Sequence, residues 1–239
     1  MTPASRIGAF FDIDGTLLPP PSLEWRFASW LLDRGLLNSW RIAKWTMFAL
    51  SALSCGDASA FRADKTYLAG LPTSVSEDWE ASLSSNALAL FPEAAEWLAH
   101  HSRQGHRVFL VSGTLAPLAR ALARHIDNAL GVYATELGGV GGVCSGRIEG
   151  KHVSGRAKGE IVTQIARDFG ISLSESYAYG NHPDDFAMLS SVGHPVAVNP
   201  TRQLKRIARR LHWCTLYWNS LEPAGTSAQQ QLLSAKEAH

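Results

Sequence analysis

Asp12 and Asp14 stand two residues apart where a short apolar run ends, in Phe10-Phe11-Asp12-Ile13-Asp14-Gly15-Thr16. Carboxylates so placed repel each other unless a cation or a shared proton lies between them. A divalent metal is the simplest resolution, and Mg²⁺ suits oxygen ligands. Gly15 lets the backbone turn sharply and present N–H groups to an anion. Three other stretches carry chemistry of the same kind. Val108-Phe109-Leu110-Val111 runs into Ser112-Gly113-Thr114, a hydroxyl and free N–H groups at an expected helix start, which is a ready seat for phosphate. Lys158 falls in the first turn of an expected helix, where it opposes the helix dipole at a mild cost that points to a task elsewhere. Tyr177-Ala178-Tyr179-Gly180-Asn181-His182-Pro183-Asp184-Asp185 again reads as strand, turn and acid.

The elements that must position these residues alternate in type. Residues 7–11 read as a short buried strand, stopped by Pro19-Pro20-Pro21. Residues 22–89 show helical periodicity, with Leu23, Phe27, Trp30 and Leu31 on one face, and no convincing strand. From Pro92 the pattern predicts helix 92–104, strand 107–111, helix 115–125, strand 131–135, helix 156–169, strand 176–179, helix 184–190, strand 195–198 and helix 201–211. Such alternation is the mark of an α/β fold, a doubly wound, Rossmann-like parallel sheet, here with an inserted all-helical unit. In that architecture ligands bind outside the carboxyl ends of the strands. The Gly-rich residues 138–150 predict a small hairpin turning at Ser145-Gly146 or Glu149-Gly150. Residues 220–239 lose apolar periodicity and are expected to be a flexible tail.

These four stretches, in this order, resemble the haloacid dehalogenase (HAD) superfamily of phosphatases over residues 6–18 and 90–213. The nearest likeness is its phosphoserine-phosphatase-like subfamily IB, on the run at residues 177–200 and on a helical insertion between the first and second motifs, the place of a C1 cap. The division expected is therefore 1–18 with 90–219 as the Rossmannoid core and 19–89 as the cap. The resemblance implies roles. Asp12 is the nucleophile that takes the phosphoryl group. Asp14 is the general acid and then the base, with its backbone carbonyl on Mg²⁺. Ser112 and the N–H of Gly113 hold phosphoryl oxygens, Lys158 neutralises charge around them, and Asn181 and Asp185 fill the metal-side positions. The family pattern Gly-Asp-x-x-x-Asp has Asp where this chain has Asn181. An amide oxygen still ligates Mg²⁺, without a negative charge.

Each residue has a plainer reading: Asp12 and Asp14 as a cap or turn pair, Ser112 as a helix N-cap, Lys158 as a solvated lysine and Asn181 as a turn residue. Asp184 is expected to be an N-cap and His182 a turn histidine, since Mg²⁺ disfavours imidazole. His100 and His101, adjacent on a helix, do not share a face for a metal.

The leading expectation is a Mg²⁺-dependent phosphomonoester hydrolase acting on a small-molecule phosphate through an aspartyl phosphate. The alternatives are a phosphotransferase with the same intermediate, a lipid-phosphate phosphatase, and a weakly active binding protein because of Asn181. Subfamily members specific for phosphoserine place a glutamate where this chain has Pro21, with Glu24 three residues later, so phosphoserine is disfavoured. Ser22, Glu24, Arg26 and Arg62 are candidate specificity residues, and the aromatics Trp25, Trp30, Trp40, Trp45 and Phe48 read first as packing within the cap.

Composition narrows the partners. At 239 residues and 46% hydrophobic, the chain can bury a good-sized core. Its net charge of +1 gives no reason to expect nucleic acid. Cys55, Cys144 and Cys214 are scattered and read as thiols in a reducing compartment. The N-terminus goes straight into the aspartate pair and leaves no room for a signal peptide, so a cytoplasmic protein is expected. Residues 40–53 are apolar but too short to span a bilayer, and peripheral contact with lipid stays open.

Overall fold

A computed structural model describes residues 6–37, 43, 65–84 and 87–219. In chain order these form β1 (Gly8–Phe11), α1 (Leu23–Asp33), a 3₁₀ turn (Thr66–Leu68), α2 (Val75–Ala81), α3 (Pro92–Arg103), β2 (Arg107–Leu115), α4 (Ala116–Ala123), β3 (Ala129–Val140) and β4 (Val143–Glu149). There follow α5 (Arg156–Phe169), a 3₁₀ turn (Leu173–Glu175), β5 (Tyr177–Gly180), a 3₁₀ turn (Pro183–Asp185), α6 (Phe186–Leu189), β6 (His194–Val198), α7 (Arg202–Arg210) and β7 (Cys214–Leu216).

Seven strands make one sheet in the order β4-β3-β2-β1-β5-β6-β7, parallel except for the β3–β4 hairpin. β1 is central, with Phe10 beside Phe109 of β2 and Ala178 of β5. All four of its residues are buried, as a strand covered on both faces requires. Side chains alternate across the sheet. Ala9 and Phe11 join the apolar cluster beneath α1 to α4, while Phe10 joins the one beneath α5 to α7. The sheet is thus wound on both faces, and β2 and β5 flank β1 at the point where strand order reverses.

Several expectations need correcting. β2 runs on through Ser112-Gly113-Thr114 to Leu115, with a register shift against β3 between Val111 and Leu115, so α4 starts at Ala116 and Ser112 is not its N-cap. The hairpin turns at Gly141-Gly142, not at Ser145-Gly146 or Glu149-Gly150. Both glycines have positive φ, 60° and 78°, the backbone that a two-residue hairpin loop demands. β7 was not expected. The helix expected at 184–190 is a 3₁₀ turn followed by a four-residue α6, and its N-terminal cap is His182, whose ring accepts the Asp184 N–H, rather than Asp184.

Within the insertion, α1 and α2 are helical as their periodicity predicts, and they pack into the same apolar cluster as the sheet. Residues 70–73 are not helical. They run along β4, exchanging Gly70 N–H to Cys144 O and Cys144 N–H to Leu71 O. Arg26 ties the two crossings between insertion and sheet together. Its guanidinium donates to the carbonyls of Pro19, Pro21 and Ala87 at 2.7, 2.8 and 2.7 Å. No helix among the described residues is long and apolar enough to cross a membrane. Arg62, Cys55, the aromatics Trp40, Trp45 and Phe48, and the tail at 220–239 lie outside the described residues.

Candidate active site

Asp12 extends β1 by one ladder bond, its N–H donating to Tyr179 O at 2.9 Å. Its carboxylate therefore leaves the sheet at the crevice between β1, β2 and β5. The chain then closes a tight loop in which Leu17 and Leu18 donate back to Ile13 O. Gly15, at φ 80°, is held to glycine twice over: by its backbone, and by the Asn181 side chain, whose Nδ2 lies 2.0 Å from where a Cβ would sit. Asp14 Oδ1 accepts the N–H of Leu23 at 2.7 Å, the first residue of α1. The loop that carries the carboxylates is thereby fastened to the insertion.

Lys158 comes from the first turn of α5 and is 3% exposed, which rules out a solvated lysine. Its Nζ lies 2.6 Å from Asp12 Oδ1 and 2.5 Å from Asp185 Oδ1. The other oxygen of Asp185 accepts the N–H groups of Asn181 and His182 at 3.0 and 2.9 Å. Asp185 thus braces both the lysine and its own loop, and Gly180 gives it room, since a Cβ there would lie 2.6 Å from Asp185 Cβ. Asp184 also borders the cavity, its Oδ2 lying 3.3 Å from His182 Nδ1.

Asp12, Asp14, Ser112, Gly113, Lys158, Asn181 and Asp185 all line one cavity of about 530 Å³. Of the specificity candidates, Ser22 and Glu24 line it and Arg26 does not. Thr114, His152 and Lys65 are among the further wall residues that were missed. Thr114 is buried, and its hydroxyl has no hydrogen-bond partner. His152 sits beside Gly113. Lys65, 3% exposed, donates to Glu24 Oε2 at 2.5 Å across 41 residues of sequence. Thr114 was visible as part of the Ser-Gly-Thr run, whereas Lys65 carries no local signal.

Burial, and next the charge of Asp185, push the Asp12 carboxyl up to about 6 although Lys158 opposes them. Burial pushes Asp14 to about 7 against the Leu23 N–H. Burial also works against the Lys158 ammonium, but Asp12 and Asp185 outweigh it and hold its pKa above the ordinary lysine value. Two carboxylates share one lysine here and Asp14 adds a third acid beside them, a deficit of positive charge that a divalent cation would relieve. No three Asp, Glu, His or Cys side chains among the described residues converge as a metal cluster, and Asp185, a metal-side candidate, has one oxygen on Lys158 and the other on the Asn181 and His182 N–H groups. The donors that the resemblance offers, the Asp12 carboxylate, the Asp14 backbone carbonyl, the Asn181 amide oxygen and the Asp185 carboxylate, are all oxygen and fit Mg²⁺.

The family model of the haloacid dehalogenase-like hydrolases matches residues 9–190, which takes in all of these residues. This chain belongs to that family. Among its relatives, a probable phosphatase of Mycobacterium tuberculosis is 29% identical over 230 residues, covering 90% of this chain and 76% of the relative. Two solved structures share the haloacid dehalogenase fold with it. A protein of unknown function from Bordetella pertussis superposes with a TM-score of 0.74 at 24% identity, over 89% of this chain and 98% of the other. A phosphoserine phosphatase, as an analogue of its phospho-aspartyl intermediate, gives 0.61 at 22% identity, over 87% and 91%.

Proposed function

We propose that this haloacid dehalogenase-like hydrolase is a Mg²⁺-dependent phosphatase that cleaves a phosphomonoester through an aspartyl phosphate on Asp12. The observation that carries the reading is the Lys158 ammonium, buried between Asp12 and Asp185 at 2.6 and 2.5 Å, at the end of a cavity that also holds Ser112 and Gly113.

A carboxylate oxygen of Asp12 attacks phosphorus, and the bond from phosphorus to the alcohol oxygen breaks. Asp14 gives the departing oxygen its proton. Oδ1 of Asp14 is taken by the Leu23 N–H, so Oδ2 is the oxygen that carries it. The same oxygen then takes a proton from the water that attacks the acyl phosphate, which frees phosphate and restores both aspartates. Ser112 and the Gly113 N–H hold the phosphoryl oxygens while Lys158 keeps a positive charge beside them. Mg²⁺, held by Asp12, the Asp14 carbonyl and Asn181, would supply the remaining charge. Asp185 acts through Lys158 by fixing where its ammonium points. Residues 19–89 are read as the cap, a reading supported by α1 and the segment from Lys65 to Tyr67, which line the cavity together with the sheet's strand-end residues.

The test is release of phosphate from p-nitrophenyl phosphate with Mg²⁺, together with capture of a phosphoenzyme that hydroxylamine cleaves. Wild type should give both, and Asp12→Asn, whose amide cannot be phosphorylated, neither. Substantial turnover by Asp12→Asn would exclude the covalent route.

A further inference from the structure

The wall that α1 gives the cavity is built for an apolar group. α1 is apolar along two lines. Leu23, Phe27 and Leu31 are buried in the core, the face that a helix packed on a sheet must have. Trp25, Ala28 and Leu32 fall on a second line that borders the cavity, and Trp25 and Leu32 are 52% and 45% exposed. Scattered exposed apolar side chains need no explanation, but a contiguous set along the wall of a reactive cavity marks a binding surface.

The charged groups of this wall cancel. Glu24 and Lys65 are the ionised side chains that α1 and the segment from Lys65 to Tyr67 give the cavity among the described residues, and they hold each other at 2.5 Å with Lys65 buried. An ammonium bound at Glu24 would have to displace the buried Lys65, and a buried charge stripped of its partner is strongly disfavoured.

Resting on the phosphatase reading above, we propose that the site selects phosphomonoesters whose alcohol is an uncharged apolar chain or ring. Trp25 and Leu32 bury that chain, and the Glu24–Lys65 pair closes the wall to zwitterionic alcohols such as serine.

The test compares kcat/KM for hexyl phosphate, ethyl phosphate and O-phosphoserine in wild type, Trp25→Ala and Leu32→Ser. Hexyl phosphate carries four more methylenes than ethyl phosphate, each worth about fourfold when fully buried, so partial burial gives a hexyl-to-ethyl ratio of at least about tenfold. O-phosphoserine should fall below both. Because both substituted side chains are already half in water, the variants should fold, which thermal melts verify, and in each the hexyl-to-ethyl ratio should fall several-fold. A hexyl-to-ethyl ratio near one, a preference for O-phosphoserine, or a ratio that neither substitution moves overturns the proposal. If no ester is turned over, calorimetric binding of hexylphosphonate and ethylphosphonate replaces turnover as the readout. A hexyl preference that the variants lose then upholds the apolar site and rejects the phosphatase reading, and no preference rejects the apolar site as well. Dioctanoyl phosphatidate distinguishes two sources of the same chemistry: its turnover beside hexyl phosphate assigns a lipid, and turnover of hexyl phosphate alone assigns a soluble ester, either of which upholds the proposal.

Discussion

Lys158 is the residue on which the site turns, one ammonium compensating two buried carboxylates. Lys158→Met leaves Asp12 and Asp185 facing each other without it, and removing one partner from a buried ionic cluster costs about 3–5 kcal/mol. The expected outcome is a clear loss in urea denaturation together with at least about a hundredfold loss of turnover. Lys158→Arg should restore neither, because a planar fork does not fit a position shaped for a point charge. Asn181 bears on the cation instead. In the proposed site its amide puts one formal charge fewer among the donors that would hold Mg²⁺, and affinity follows charge as well as geometry. Asn181→Asp should bind Mg²⁺ about tenfold more tightly, about 1.4 kcal/mol, in a calorimetric titration; equal affinity would place residue 181 outside the donor set.

At the scale of elements, the crossing between sheet and insertion depends on Arg26, whose one side chain collects three carbonyls from both connecting segments. Arg26→Ala leaves those carbonyls to water and should cost about 2 kcal/mol, since the side chain is partly solvated and hydrogen bonds to a charged group are worth about 1.5–3 kcal/mol each at best. Urea unfolding checks this, and Arg26→Lys should not rescue it, because an ammonium cannot reach carbonyls in three directions. Sequence reasoning had offered Arg26 to the substrate because nothing local shows where a long side chain turns. The same contrast runs through the chain. The strands carrying Asp12, Ser112 and Asn181 were legible because parallel strands buried on both faces read as apolar runs, and topology then sets their carboxyl ends side by side. The hairpin turn was not, because Gly141-Gly142 competes with other glycine pairs in one short stretch. β7 has three residues, too few to show a period. The Lys65–Glu24 contact bridges separate segments and appears only once the chain is folded.

For the molecule as a whole, the end of the sheet opposite the site holds a group that sets acid stability. His101 of α3 is 1% exposed, its Nδ1 2.8 Å from His106 Nδ1 and its Nε2 2.8 Å from the Tyr179 hydroxyl. Burial, and then the neighbouring His106 and His100, lower its pKa to about 3. The folded state therefore refuses a proton that the unfolded chain accepts below the ordinary histidine value of 6.5. The stability from this residue is complete above pH 6.5 and is lost as pH falls from there toward 3, by up to about 1.4 kcal/mol per pH unit and about 2 kcal/mol by pH 5. Asp12 and Asp14, raised to about 6 and about 7, bind protons in the folded state over the same range and act in the opposite sense, so the check is the difference between wild type and His101→Phe: wild type should lose stability relative to the variant by about one proton's slope as urea midpoints are followed from pH 7 to 5. The central place of β1 has a consequence on the clock of amide exchange. The Asp12 N–H is bonded to Tyr179 inside a seven-stranded sheet, so deuterium reaches it only when the whole domain opens. The Trp25 N–H, bonded at 3.3 Å to the Ser22 hydroxyl at an exposed helix start, exchanges through local fraying. Exchange mass spectrometry should find Asp12 among the slowest amides and Trp25 among the fast ones, which would fix the proposed nucleophile in the least yielding part of the protein and leave the proposed grip on the departing alcohol free to adjust.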